Sequence, residues 1–253
     1  MILFLIFLQA EVKEYSWDGL TVRAISDELD AWLEILDEGR VLFDSRKYCE
    51  EHPDVWMYNP IDVRVLDMDG DGEDELYVEF YSGGAHCCSS AYVFERDDEG
   101  VKIVADVFSG NSGISIEDAD GDGDMEIVVW DDVLAYDFTP YVATPWAMVV
   151  LSRDEDSGVW RCSPGLTRLY NTALLMEEKG QDGYDMCVFQ GETCVLYSSH
   201  LDRAMKMIYA GRVEDAREYI LRNWMGRIPH AFRFWKTFVE ELKGSQWAEC
   251  IFG

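Results

Sequence analysis

Two nine-residue stretches constrain this chain more than anything else in it. Asp67 to Glu75 reads DMDGDGEDE, and Asp118 to Glu126 reads DADGDGDME, 51 positions further on. Both follow D-x-D-G-D-G-x-x-E. Carboxylates at positions 1, 3 and 5 converge on one point only if the backbone winds tightly. The glycines at positions 4 and 6 permit that winding, because glycine tolerates positive φ. A hard divalent cation that takes about 6–8 oxygen ligands suits such a loop, and calcium fits best. Without a cation, the same carboxylates repel one another. A pair of solvated acidic turns is the bland alternative, and recurrence of the whole spacing argues against it.

In the first loop Asp67, Asp69 and Asp71 are expected to supply side chains, Glu73 its backbone carbonyl, and Glu75 the closing carboxylate. In the second, the same roles fall to Asp118, Asp120, Asp122, the carbonyl of Asp124, and Glu126. Two calcium ions are therefore expected. An EF-hand needs a bidentate Glu at position 12 and helices on both sides. Position 12 is Val78 in one loop and Val129 in the other, and the flanks alternate as strands do. The loops resemble instead the strand-loop-strand calcium sites of FG-GAP and VCBS repeats, the units of the integrin alpha propeller. That resemblance spans roughly Ile61 to Trp160 and implies ligands at positions 1, 3, 5, 7 and 9. The FG-GAP signature itself is not intact in either unit.

Around the loops the chain alternates with period 2, the mark of half-buried strands. Thr21–Ile25, Ala31–Leu36, Val41–Asp44, Ile61–Val65, Leu76–Tyr81, Ala91–Glu95, Val101–Val104, Ile114–Ile116 and Met148–Leu151 read as strands, with turn signals such as DEGR between them. Tyr184 to Tyr197 reads as a further strand pair. After Ser198 the period becomes helical, with Gly211 where a helix C-cap belongs and a third helix after Pro229. A closed propeller generally needs 4–8 blades of four strands, and only two clear units are present. The expected fold is a mainly β N-terminal region of antiparallel, propeller-blade-like repeats, not a complete large propeller, followed by a small α-helical C-terminal region. The expected boundaries are 1–10 for a signal peptide, 11–197 for the β-repeat domain and 198–253 for the helical region.

The first ten residues, MILFLIFLQA, are too short to span a bilayer and resemble the apolar core of a secretory signal. Secretion or a periplasmic location is therefore expected, with no membrane span elsewhere. There are 50 acidic against 21 basic residues, a net charge of -29, which repels nucleic acid and anionic lipid. The seven cysteines form no CxxC pair, so zinc-finger spacings are absent. In an exported chain they point to disulfides. Cys187 and Cys194, on a hairpin expected to turn at Gln190-Gly191, are the best candidates.

The run SGGAHCCSS, Ser82 to Ser90, is similar to one found in a group of bacterial secreted proteins, which supports export and says nothing of activity. Structural pairing or packing is the favoured reading of its cysteines. A metal or redox role for His86 with Cys88 comes next, and nucleophilic catalysis last, since strand neighbours His86 and Cys87 point to opposite faces. GxSxG, HExxH and phosphate-binding glycine loops are missing. The aromatic residues, 13% of the chain, mostly serve a core, though they could form a protein- or carbohydrate-binding face. The expected function is an exported, calcium-stabilised structural or binding module. The alternative is a hydrolytic or redox enzyme using His86, Cys87 and Cys88.

Overall fold

The computed structural model describes residues 10–27, 30–84, 87–97, 100–177 and 185–253. They fall into two compact units. One comprises the chain up to Gly110 with Glu155–Val159, and the other comprises Asn111–Asp154 with Trp160–Gly253. Each unit holds one acidic loop.

The first unit contains two four-stranded antiparallel meanders. In the first, β1 (Glu11–Trp17), β2 (Leu20–Ser26), β3 (Ala31–Asp37) and β4 (Arg40–Asp44) pair in sequence order. Its hairpins turn at Asp18-Gly19 and Glu38-Gly39, where both residues of each pair have positive φ. Such two-residue turns match the twist of the strands they join. Helix α1 (Ser45–Glu51) follows, capped by the Asp44 carboxylate, which accepts from the N–H groups of Arg46 and Lys47. The second meander is β5 (Pro60–Leu66), β6 (Glu75–Tyr81), β7 (Ser89–Asp97) and β8 (Gly100–Gly110). The two sheets share a core of Trp17, Leu33, Ile35, Leu76, Val78, Phe80 and Phe94 among others.

Two of these elements go beyond the strands read from the sequence. Strand β1 is exposed along most of its length. It lacks the alternation that marks a half-buried strand, so its charged side chains hide it. Helix α1 has only two buried residues, Ser45 and Cys49, too few for a helical period to show.

The second unit has a third meander, β9 (Ile114–Glu117), β10 (Glu126–Asp131), β11 (Ala147–Arg153) and β12 (Trp160–Cys162). Helix α2 (Pro164–Glu177) packs on it through Leu166, Tyr170 and Leu174 against Val128, Met148 and Val150. A separate hairpin, β13 (Cys187–Gln190) and β14 (Thr193–Tyr197), precedes α3 (Ser198–Tyr209), α4 (Val213–Asn223), α5 (Ile228–Leu242) and α6 (Ala248–Phe252). Gly211 has a positive φ between α3 and α4, as a left-handed C-cap requires.

Antiparallel sheets and helices thus make up the fold, with most of the helices in the C-terminal half. Helices α1 and α2 lie outside the expected helical region of 198–253. Pro229 lies in the first turn of α5 rather than before it, where its missing N–H costs nothing. The β13–β14 hairpin turns at Gly191-Glu192, one residue later than expected, because Gln190 still pairs with Thr193. Among the described residues no sheet closes into a barrel or propeller, and no helix is long and apolar enough to cross a membrane. The expected signal segment lies almost wholly outside the described residues, as do Tyr184 and His86.

Candidate metal centre

Each acidic loop joins the first two strands of its meander: Asp67–Asp74 links β5 to β6, and Asp118–Met125 links β9 to β10. Paired strands hold the two ends of each loop at a fixed separation. Gly70 and Gly72, and likewise Gly121 and Gly123, all have positive φ. Between them the backbone folds inward, and the aspartate side chains accept hydrogen bonds from it.

The two loops repeat those bonds closely. In the first, the N–H of Asp71 donates to Asp69 Oδ1 (3.2 Å), that of Glu73 to Asp71 Oδ1 (2.8 Å), and that of Met68 to Glu75 Oε2 (2.7 Å). In the second, Asp122 donates to Asp120 Oδ1 (3.2 Å), Asp124 to Asp122 Oδ1 (2.9 Å), and Ala119 to Glu126 Oε2 (2.8 Å). The position-1 aspartates differ. Asp67 Oδ2 accepts from Gly72 at 3.0 Å, whereas Asp118 Oδ1 accepts from Gly121 at 2.6 Å.

These bonds orient the carboxylates. Asp67, Asp69 and Asp71 each bring an oxygen within 4.8 Å of the others, as do Asp118, Asp120 and Asp122. A third group joins Asp69, Glu75 and Glu95. Asp67 Oδ1 is buried and has no hydrogen-bond partner. A buried carboxylate oxygen left without a hydrogen bond is costly, and a cation beside it would remove that cost. The clusters could therefore hold metal ions, and the oxygen-only donor set suits a hard one.

Electrostatics point the same way. Glu75 and Glu126, the position-9 residues, are both 3% exposed. Burial pushes the Glu75 carboxyl up to about 7, with Asp69, Glu95 and Asp71 adding repulsion and the Met68 N–H opposing. Burial also raises Glu126, opposed by the Ala119 N–H and reinforced by Asp120, Asp122 and Asp118. Glu73 and Asp124 take part through their backbone N–H groups, as described above.

Sequence reading missed three contributors. Trp17 donates its indole N–H to the carbonyl of Asp74 (2.6 Å), and Trp160 donates to the carbonyl of Met125 (3.4 Å). Both carbonyls are at loop position 8, immediately before the closing glutamate, and both tryptophans are buried. The third is Glu95 on β7. None of these residues is near its loop in sequence, and only strand register and packing bring them there.

The cysteines form three disulfides: Cys187–Cys194 across the hairpin, as expected, then Cys162–Cys250 and Cys87–Cys88. Cys49 is free and buried, and burial raises its thiol pKa, which disfavours the thiolate. Cys87 and Cys88 are bonded to each other, so neither presents a thiolate unless the bond is first reduced. Ser82 ties this loop to the sheet. Its hydroxyl donates to the Cys87 carbonyl (2.6 Å) and accepts from the Cys88 N–H (2.5 Å).

No family model matches the chain. An uncharacterized protein, y4bJ, of Sinorhizobium fredii is 27% identical to it over 115 residues. The match covers 45% of this chain and 18% of that protein, so it spans less than a fifth of the relative's length.

Proposed function

We propose that both acidic loops bind calcium, and that the chain is an exported β-repeat protein whose two units are each stabilised by one ion. The observation that carries this reading is Asp67, whose Oδ1 is buried without a hydrogen-bond partner and whose carboxylate brings one oxygen within 4.8 Å of oxygens of Asp69 and Asp71. The backbone hydrogen bonds shared by both loops support it. So does the placement of each loop between the first two strands of a four-stranded meander, which resembles the calcium-loop blade of FG-GAP and VCBS repeats. Asp67, Asp69, Asp71 and Glu75 would hold one ion, and Asp118, Asp120, Asp122 and Glu126 the other, with the carbonyls of Glu73 and Asp124 completing the sets.

In this reading calcium is structural. It cancels the repulsion among carboxylates that the fold forces together, and its binding energy becomes folding energy. Three disulfides are compatible with an oxidising compartment. The task served is binding or architectural, toward a protein or carbohydrate partner. Calorimetric titration of chelator-stripped protein, with melting followed in parallel, tests the metal reading. Two equivalents bound and a raised Tm are expected. Heat of dilution alone and an unchanged Tm would reject it.

A further inference from the structure

We propose that the aromatic rim formed by Trp56, Tyr58 and Phe108, with the Asp106 carboxylate beside it, binds a small quaternary ammonium cation of the choline type. This goes beyond the calcium reading and does not depend on it. Trp56 lies between α1 and β5, and two buried side chains of β7 hold its main chain. The Ser90 hydroxyl donates to the Trp56 carbonyl, and the Trp56 N–H donates to the Tyr92 hydroxyl at 3.3 Å. Two residues on, the Tyr58 carbonyl accepts from the Tyr81 N–H at 3.1 Å. The rings of Trp56 and Tyr58 are therefore carried on an anchored backbone. Register places the other members. Ser90 pairs with Phe108, and Tyr92 pairs with Asp106. Phe108 and Asp106 thus share the face of the sheet that carries Ser90 and Tyr92. The Trp56 ring meets Phe108 at 6.1 Å between centroids and 51°, and Tyr58 at 6.4 Å and 88°. Despite these contacts Trp56 is 44% exposed, Tyr58 46% and Phe108 36%. Rings at such angles present faces in different directions, and an aromatic face attracts a cation.

Charge selects the occupant. Asp106 accepts a hydrogen bond from the Tyr92 hydroxyl, a neutral donor that leaves its negative charge in place. Desolvation raises the Asp106 pKa, with that bond opposing, and a cation nearby would relieve the cost. The one basic residue of β8, Lys102, pairs instead with Glu95 at 2.6 Å. The net charge of -29 favours cations over anions at any part of this surface. A primary ammonium is strongly hydrated and carries three N–H donors to satisfy, more than one carboxylate can serve. A quaternary ammonium has no N–H, and its methyl groups pack on ring faces while its charge is felt by the rings and by Asp106. A neutral apolar ligand would use the rings and gain nothing from the charge.

The test titrates the full chain with choline chloride at about pH 8, well above the ordinary carboxylate range, in calcium and at constant ionic strength. A parallel titration uses neohexyl alcohol, which has the shape of choline without its charge. Saturable choline binding, about tenfold or more tighter than the neutral isostere, is expected. Equal affinity for the two, or no binding of choline, would overturn the proposal. Trp56→Leu and Asp106→Asn should each weaken choline binding about threefold or more. Phe189→Ala removes a ring of the second unit that is 63% exposed, and should change nothing. An effect of Phe189→Ala as large as that of Trp56→Leu would show that choline adheres to any exposed ring, and the site would be lost. If Trp56→Leu fails to fold, Phe108→Leu carries the same prediction, and unchanged affinity in it and in Asp106→Asn would count against the site. None of these outcomes bears on the loops, which the calcium titration reads separately.

Discussion

At the scale of single residues, the clustering of the loop aspartates was legible because it is local. A spacing of two brings carboxylates together only where glycines let the backbone turn, and both loops carry glycines at positions 4 and 6. Removing one central carboxylate should therefore be specific. Asp69→Ala is expected to lower the Tm in calcium and to reduce the shift that chelator produces; an unchanged shift, measured by differential scanning calorimetry, would exclude a role in metal binding. Trp17 and Trp160 were illegible because a tryptophan reads as core in any sequence. Their indole N–H bonds to the carbonyls before Glu75 and Glu126 emerge only from packing. Trp17→Phe keeps most of the buried ring and deletes the donor. It should cost about 1–3 kcal/mol, the range for leaving a buried carbonyl unpaired, and equal stability in urea titrations would show that the bond contributes nothing.

At the scale of elements, most strands of the meanders followed from alternation, whereas the exposed β1 and the helix α2 did not declare themselves. The buried face of α2 includes Thr167 and Asn171, polar residues that break the apolar period. The structure explains why they are there. Beyond the short β12, strand β11 has backbone groups without a strand partner, and α2 supplies them. Asn171 accepts from the Met148 N–H (3.1 Å) and donates to the Met148 carbonyl (2.8 Å), and Thr167 accepts from the Val150 N–H (3.1 Å). A helix thus completes a sheet edge that would otherwise be exposed to mispairing. Asn171→Leu should lower stability by about 2–4 kcal/mol, since two buried backbone groups lose partners at once. Thermal melts within experimental error of the parent would refute that account.

The end of β10 presents a second element-scale case. Buried Asp131 accepts hydrogen bonds from the hydroxyls of Tyr209 on α3 and Ser245, just after α5, and from the Val133 N–H. Desolvation raises its pKa, with those three donors opposing and Asp132 adding to the rise. The folded state then holds a proton that the unfolded chain has already released, so this group's contribution to stability falls as pH rises above the ordinary carboxylate range. Asp131→Asn cannot titrate. The parent should lose more Tm than the variant between about pH 4.5 and 7.5, a window starting just above the unfolded Asp value. Parallel pH profiles would show that Asp131 is ionised throughout.

At the scale of the whole molecule, the distribution of strands and helices could be read in outline, but the long-range ties could not. Cys162 and Cys250 are 88 residues apart, and nothing in their spacing nominates them as partners. Cys187 and Cys194 could be paired because a hairpin places them near each other. The distant bond joins β12 to α6, and on the chain-entropy account a loop of that length is worth about 4–5 kcal/mol, acting on the unfolded state. On the calcium reading proposed above, the ion would act on the opposite side of the equilibrium by binding the folded state, contributing about 2.7 kcal/mol at a hundredfold excess over Kd. The two mechanisms share no group, so their effects should add. Together they amount to about 7 kcal/mol, comparable to the whole stability of an ordinary domain, roughly 5–15 kcal/mol. The Cys162→Ser/Cys250→Ser double variant should therefore remain folded in calcium, and the parent should remain folded in chelator. The double variant in chelator should lose near-ultraviolet circular dichroism from the second unit at room temperature. If it keeps its full signal, either the loop ion or the long-range disulfide contributes far less than its chemistry implies, and comparing the two single perturbations identifies which.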